Sequence, residues 1–448
     1  MRKDAWKIAI ETLCWIEMKK ISEQMAFAKT IDQMQIKESN TIRFAYGLVI
    51  ETIRRKNLID EVINFVLYPK NINRFNFGLQ SFLRLFVYQN RVVNNWSKIN
   101  LREAEKIANL GRNIFGWKNF RKIEYILGFL LTQEVSIILN RLTELDKIAL
   151  TTFHPKWFVD YCIDLFGKTQ GISFLRANND SPPDYIRLNS IKGSKKEIIK
   201  RLKIDGVELK KVRGLKHSYE IIKTEKPLTK IDSFQSGLFY IQDKASSFAT
   251  EIANPKSGDI VLDVCSAPGT KTSYIAQLMK NQGNIYSIDY SKRRSKTWKS
   301  VIKKLGVKNA KPIIADVCFS IPLNVSADIV ILDPPCTSTG VFSKYPSAKW
   351  RLSPKSIKRM AEIQFQMINN CADKVKSKGS IIYSTCSVTI EENEEIIEKF
   401  LNHNSNFKLT KIEPIIGLSG LRGLEECQRF YPNIHKSNGF FIAKIVKK

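Results

Sequence analysis

Two cysteines each follow a run of strand-forming residues. The first closes Asp328-Ile-Val-Ile-Leu-Asp-Pro-Pro-Cys336 and the second closes Gly379-Ser-Ile-Ile-Tyr-Ser-Thr-Cys386. In an open α/β sheet, ligands bind and chemistry occurs at the carboxyl ends of the strands. Two thiols delivered to that edge point to covalent catalysis, with one sulfur attacking and the other assisting. An isolated cysteine is more often a small buried hydrophobe. Here the rigid Asp333-Pro-Pro turn sets a carboxylate beside the first thiol, which favours chemistry. The attacking thiol would need a depressed pKa and partial access, and Lys271 is the cation expected to provide the former.

A second constellation lies upstream. The loop Asp263-Val-Cys-Ser-Ala-Pro-Gly-Thr-Lys-Thr272 joins an expected strand to an expected helix. Its small residues and Gly269 let backbone amides approach a ligand, and the helix start offers unpaired N–H groups. It lacks the three glycines of a dinucleotide fingerprint. Thr270 and Cys265 also stand where a phosphate loop requires glycine. Cys265, Ser266, Ala267, Pro268, Gly269, Thr270 and Lys271 thus form a candidate cofactor loop. Asp289, Asp316 and Asp333 close the next three expected strands. A strand-end carboxylate can accept ribose hydroxyls or an amino group; singly such residues are more often turn formers, but three in register are harder to dismiss. S-adenosylmethionine has the carboxylate, the adenosine and the lack of phosphate that these residues require.

The two constellations together suggest a reaction. Cytosine is not nucleophilic at carbon 5, but a thiolate adding at carbon 6 makes it so, and the ring can then take a methyl group. The carbon 5 proton must afterwards leave so that the thiol can depart, and a second thiol could serve that release. Asp-Pro-Pro followed by an aromatic is typical of amino-group methylation, and Cys336 in the aromatic's place argues against attack by an exocyclic nitrogen.

The chain has 448 residues, with 43% hydrophobic and 26% charged residues, and a net charge of +29. That length allows two or three domains, and the composition is that of a globular protein. With no apolar run of spanning length and no signal-like start, a cytoplasmic, membrane-free protein is expected. The eight cysteines lack disulfide or zinc spacing and the four histidines lack ligand spacing, so no metal is expected. The excess of 72 Lys/Arg over 43 Asp/Glu suits a polyanionic partner. Residues 191–230 concentrate it, with thirteen basic and five acidic residues. Lys195, Lys196 and Lys200 are candidate RNA contacts there. Lys349, Trp350 and Arg351, a dozen residues past the first cysteine, could stack and pair on neighbouring nucleotides.

These groups must be positioned by elements of different kinds. The fold class expected is a multidomain α + α/β protein. Residues 1–150 carry helical spacing in Trp6, Ile10, Leu13 and Ile16, and again in Ile42, Tyr46, Val49 and Ile53, with Phe75 to Val93 as a core helix. Residues 151–230 read as a short helix at 156–166 stopped by Gly167, then a small basic β-α-β module of ferredoxin-like size. Residues 231–448 alternate strands and helices, as a parallel sheet does. Strands are expected at 260–265, 284–289, 312–316, 329–333 and 380–385, with helices at 271–279, 292–305, 354–376 and 391–401. Late antiparallel strands near 407–412 and 440–446 are expected at the sheet edge.

The motifs Cys265-Ser-Ala-Pro-Gly-Thr-Lys271, Asp333-Pro-Pro-Cys-Thr-Ser-Thr-Gly340 and Tyr383-Ser-Thr-Cys-Ser-Val388 resemble those of Sun-type (Fmu-type, RsmB-like) RNA cytosine-5 methyltransferases. Gly237-Leu-Phe-Tyr-Ile-Gln-Asp243, Arg429-Phe-Tyr-Pro432 and Gly439-Phe-Phe441 match as well. The resemblance implies a Rossmann-like catalytic sheet, preceded by a NusB-like helical domain and an RNA-recognition-like module. It implies S-adenosylmethionine as cofactor, RNA as partner and a monomeric enzyme. It makes Cys386 the nucleophile, gives Cys336 the release of product, and sets Lys271 and Asp333 at the base. Small-subunit ribosomal RNA is the implied substrate; transfer RNA, or a noncatalytic assembly role, are the alternatives. DNA cytosine methyltransferases attack with the cysteine of a Pro-Cys pair, but no Glu-Asn-Val follows Cys336. Thr270, Ser266 and Asn438 depart from the usual pattern without removing a catalytic group.

Overall fold

In a computed structural model, residues 2–93, 95, 96 and 98–448 are described. They form two compact units. The first comprises Met1–Asp180 together with Phe342–Leu352, and the second comprises Ser181–Val341 with Ser353–Lys448.

The first unit is helical throughout its N-terminal stretch. Trp6, Ile10, Leu13 and Ile16 line the buried side of helix Arg2–Lys19, as their spacing requires. Helix Phe77–Val87 is apolar nearly all round and is buried from Leu79 to Val87, so it is the centre of the bundle. Phe82 on it meets the rings of Trp6, Phe86, Phe115 and Phe120. Gly111 is what lets Phe120 approach, since a Cβ there would lie 2.2 Å from the ring. Helix Lys156–Phe166 stops at Gly167, which takes φ 75°. It and helix Lys168–Ala177 extend the helical unit to Asp180. No helix among the described residues is long and apolar enough to cross a membrane.

The second unit holds two sheets. β1 (Tyr185–Leu188), β2 (Val207–Lys211), β3 (Ser218–Thr224) and β4 (Phe239–Ile241) form an antiparallel sheet in the order β2-β3-β1-β4. Helix Lys195–Ile204 connects β1 to β2, and a single turn, Asp232–Gln235, precedes β4. The connectivity is the β-α-β-β-α-β of a ferredoxin-like module. Ser194 and Glu197 form a capping box at the start of the longer helix, which is why it begins there.

The larger sheet contains β5 (Ile260–Val264), β6 (Asn284–Asp289), β7 (Ala310–Ile314), β8 (Ala327–Leu332), β9 (Val375–Thr385), β10 (Phe407–Leu409), β11 (Leu418–Ser419), β12 (Gln428–Phe430) and β13 (Phe440–Lys447). Its order is β11-β12-β13-β9-β8-β5-β6-β7, with β10 paired to β13. β5 to β9 are mutually parallel, and β13 runs antiparallel to β9. Parallel strands are covered on both faces and so read as continuous apolar runs. Accordingly Leu262, Val264, Val330, Leu332, Ile381 and Tyr383 pack into one layer, while Val261, Ile329, Ile331 and Ile382 pack into the other. The strand order reverses between β5 and β8, which opens a crevice at their carboxyl ends.

β13 is not the edge strand that the sequence predicts. It lies inside the sheet because β12 and β11 pair outside it. Strands of two and three residues carry no readable alternation.

Candidate active site

The loops after β8 and β9 bring Cys336 Sγ to 3.2 Å from Cys386 Sγ. Both thiols are partly exposed. Ser338, at φ 58°, turns its hydroxyl to 3.4 Å from Cys386 Sγ and lies 4.0 Å from Cys336. Cys386 is therefore the sulfur with two close hydrogen-bond partners, Cys336 and Ser338. The hydrogen bond from Cys336, against burial and with help from Ser338, holds Cys386 below the ordinary thiol range. The same bond, and then burial, push Cys336 well up. Of the two sulfurs in this contact, Cys386 is the one more readily ionised.

A buried glutamate pins the two loops together. Glu392 is fully buried and accepts from Thr337 N (2.8 Å), Ser387 Oγ (2.6 Å), Thr389 Oγ1 (2.9 Å), Gln364 Nε2 (3.0 Å) and the Thr337 hydroxyl. Thr337 follows Cys336 and Ser387 follows Cys386, so a single carboxylate fixes both. One residue pair behind it, Arg429 and Glu394 form a buried ion pair, with Nε 2.6 Å from Oε1. Arg429 also donates to Val388 O in the second cysteine loop. That is the structural use of the Arg429-Phe-Tyr-Pro motif. Removing one partner of such a buried pair costs about 3–5 kcal/mol.

The first cofactor loop follows β5. Its positive-φ residues are Cys265 (62°) and Gly269 (103°), whereas Thr270 is the first helical residue and needs no such freedom. A non-glycine residue in this region costs on the order of 1–3 kcal/mol and is found where function demands it. Asp289 ends β6, is buried, and accepts from Ala267 N and Ser291 N, both at 3.1 Å, so it fixes the loop. Asp316 lies two residues past β7 and accepts from Cys318 N at 2.9 Å.

Two cavities share Cys265. One of about 270 Å³ has apolar walls of Ile288, Val317, Pro335, Met360 and Met367, with Asp289 and Asp316 on its rim. The other, about 150 Å³, is polar and is lined by Ser246, Asp263, Ser266, Thr270, Lys271 and Asp333. In it Asp333 accepts from the Lys271 ammonium and from Ser384 Oγ (3.2 Å). Burial pushes Asp263 up to about 7, against the hydrogen bond from Thr272.

Residues 250–446 match the family model described as 16S rRNA methyltransferase RsmB/F, and residues 154–227 match the ferredoxin-like domain of RsmF/B-like methyltransferases. A probable ribosomal RNA small subunit methyltransferase B of Coxiella burnetii is 31% identical over 300 residues, 66% of this chain and 68% of that protein. The chain belongs to the RsmB/F methyltransferase family. The like-named protein of Bacillus subtilis is 27% identical over 98% of both chains. A tRNA (cytosine(72)-C(5))-methyltransferase of Pyrococcus horikoshii is 36% identical over 52% of this chain and 59% of its own. Among solved structures, PH0851 superposes over 100% of this chain and 99% of its own, with TM-score 0.83 and 27% identity. NSun6 from Pyrococcus horikoshii, solved with SFG, covers 65% of this chain and 98% of its own, with TM-score 0.61 and 26% identity.

The RsmB/F site thus draws together Cys336, Cys386, Asp333 and Lys271 on one edge, with the cofactor loop, Asp289 and Asp316 beside them. Three further expectations need correction. Lys271 is not the cation that activates the thiol, because its ammonium is engaged by Asp333; the hydrogen-bond partners of Cys386 are Cys336 and Ser338. Lys349 is not an RNA contact. It is buried within the helical unit and donates to Arg54 O, Phe153 O and Asn179 Oδ1. Trp350 likewise is engaged, donating its indole N–H to Ile53 O at 2.6 Å, whereas Arg351 stands exposed beside Ser347. Lys196 and Lys200 are exposed one turn apart on helix Lys195–Ile204, while Lys195 bonds Lys216 O. Sequence reasoning passed over Ser338, Glu392 and Glu394. The Glu391-Glu-Asn-Glu394 run after Cys386 was the available signal, and it read only as the start of a helix.

Proposed function

We propose that this chain transfers a methyl group to carbon 5 of a cytosine in RNA, with small-subunit ribosomal RNA as its substrate. The carrying observation is the 3.2 Å thiol pair at the mouth of a crevice whose acceptors suit S-adenosylmethionine. The fit is chemical. The apolar cavity suits an adenine ring, with Asp316 for its amino group and Asp289 for ribose hydroxyls. The polar cavity suits the amino-acid end and the sulfonium. When bound, that group supplies an electrophilic methyl.

The protein's own residues do the rest. Cys386, held toward its thiolate form, adds to carbon 6 and makes carbon 5 nucleophilic. Asp333, fixed by Lys271 and Ser384, is placed to read the polar edge of the base. After methylation the carbon 5 proton passes to solvent water, the C–H electron pair re-forms the ring double bond, and the carbon–sulfur bond breaks to return Cys386 as its thiolate. Cys336, beside that sulfur, serves the release. The target base must be unpaired or flipped to reach the thiols. Ribosomal RNA is favoured over transfer RNA because the small-subunit relative matches over 98% of both chains, whereas the tRNA relative matches only about half. The helical unit is read as NusB-like, with the ferredoxin-like module as an RNA-binding surface.

Methyl transfer from labelled S-adenosylmethionine to in vitro transcribed small-subunit RNA tests this reading. Cys386→Ser is expected to abolish incorporation. Cys336→Ala is expected to leave a covalent protein–RNA adduct that survives denaturing electrophoresis. Normal incorporation by Cys386→Ser would overturn the assignment.

A further inference from the structure

Helix Lys292–Leu305 and the turn after it are the most one-sided charged segment of the chain. Residues 292–311 hold nine Lys or Arg and no Asp or Glu. Ser295, Trp298, Ile302 and Leu305 form the buried side of the helix. Lys292, Arg293, Lys296, Lys299 and Lys303 stand exposed on the other side. Arg294 has an acidic partner, Asp289 at 3.3 Å; the other five have no ion-pair partner among the described residues.

This arrangement works against the helix that carries it. Lys292 and Lys296, Lys296 and Lys299, and Lys299 and Lys303 are neighbours at three- and four-residue spacing, where like charges repel and weaken the helix. Cations in the first turn also oppose the helix dipole, and no acid offsets them there. Solvated helix faces ordinarily mix the two signs. A face of one sign is relieved when an anionic partner lies on it.

The ribbon is continuous with other cations. Leu305 O accepts from Asn189 Nδ2 at 2.9 Å, and the Gly306 turn meets Lys192, whose Cε is 3.0 Å from where a Cβ would be. From Lys192 the chain enters helix Lys195–Ile204 with its exposed Lys196 and Lys200. At its other end the helix begins at the cofactor edge, where Arg294 donates to Ala267 O. Fourteen residues of helix give a length of about 21 Å.

We propose that Lys292, Arg293, Lys296, Lys299 and Lys303 form the track that carries the RNA phosphate backbone from the ferredoxin-like module to the catalytic edge. The track supplies affinity and direction and reads no bases. It rests on the reading of RNA as the substrate.

The test compares the full-length wild type with Lys296→Gln/Lys299→Gln/Lys303→Gln. Binding of small-subunit RNA transcript is measured between 50 and 300 mM salt. Each lost phosphate contact lowers the slope of log K against log salt by roughly 0.7–0.9, so the triple variant should lose about 2 from the slope. Affinity near 150 mM should weaken at least about tenfold, with S-adenosylmethionine binding and melting temperature retained. The single variant Lys299→Gln should lose about 0.7. An unchanged slope in the folded variants overturns the track. So does an equal loss in Lys256→Gln/Lys408→Gln/Lys411→Gln, which would make the effect one of net charge. Wild-type methyl transfer to the same transcript is measured alongside. Its absence would count against the RNA reading itself, whereas methylation with an unchanged slope would count against the track alone.

Discussion

At the scale of single residues, the asymmetry between the two thiols is the feature on which the proposed chemistry rests. Cys386 and Cys336 are equivalent in composition, and Ser338 is what separates them, at 3.4 Å from one and 4.0 Å from the other. A hydrogen bond to a charged group contributes about 1.5–3 kcal/mol. Ser338→Ala should therefore raise the apparent pKa for iodoacetamide alkylation of Cys386. The sign follows because the hydroxyl donates to the thiolate and not to the thiol. Alkylation at pH 7 should slow several-fold and recover as the pH is raised; an unshifted profile would assign the lowering to Cys336 alone. The meeting of the two cysteines was legible from their positions, since each follows the carboxyl end of one of two adjacent parallel strands. Ser338 was not, since a serine in a turn carries no signal until its φ and its neighbours are known.

At the scale of elements, the site depends on loops held by a carboxylate, not by a regular ladder. Glu392 joins the turn after β8 to the turn after β9. Gly340 and Gly439 complete the seam: Gly439 N donates to Gly340 O at 2.8 Å, and Gly340 N donates to Cys386 O at 2.9 Å. A Cβ on Gly340 would lie 2.5 Å from Gly439 O, so only glycine fits at that crossing. Glu392→Gln keeps the volume but replaces one acceptor oxygen with an amide donor, set against either Thr337 N and Gln364 Nε2 or the hydroxyls of Thr337, Ser387 and Thr389. Leaving buried groups unsatisfied costs about 1–3 kcal/mol. The variant should lose at least about tenfold in kcat with cofactor affinity nearly unchanged, measured by single-turnover methyl transfer and by S-adenosylmethionine titration. Equal losses in both would mean a general collapse of the fold. β8 was readable from its apolar run Ile329–Leu332 and helix Lys292–Leu305 from its period, whereas β9 begins at Val375, five residues before the expected start, because Val375-Lys-Ser-Lys-Gly has no strand-like pattern. The helix after Cys386 begins at Glu394 and not at 391, because residues 391–393 are spent on the seam. Acids at the front of an expected helix read first as favourable dipole partners, and nothing local distinguishes that use from a buried acceptor.

At the scale of the molecule, the segment Phe342–Leu352 belongs to the helical unit although both its flanks belong to the other. Its Phe342 packs against His154 and Phe158, its Ser347 donates to Glu23, and its Lys349 satisfies three buried acceptors. Lys349→Met should destabilise this unit by about 1–3 kcal/mol through those stranded acceptors. Urea unfolding followed by limited proteolysis should show its helices opening earlier than in wild type, while the large sheet stays protected. Coincident loss of both would show that they unfold as one. No sequence pattern marks such an insertion, since Lys349-Trp-Arg351 has the composition of a nucleic-acid contact and only burial shows otherwise. The segment also imposes an order on biosynthesis. Chains are made from the N-terminus and domains generally fold as they emerge. The helical unit has nearly all of its chain once Asp180 has been synthesised, yet it waits for some 160 further residues before its last piece arrives. That piece emerges just after Cys336, so the helical unit is completed only once the first thiol of the pair has left the ribosome.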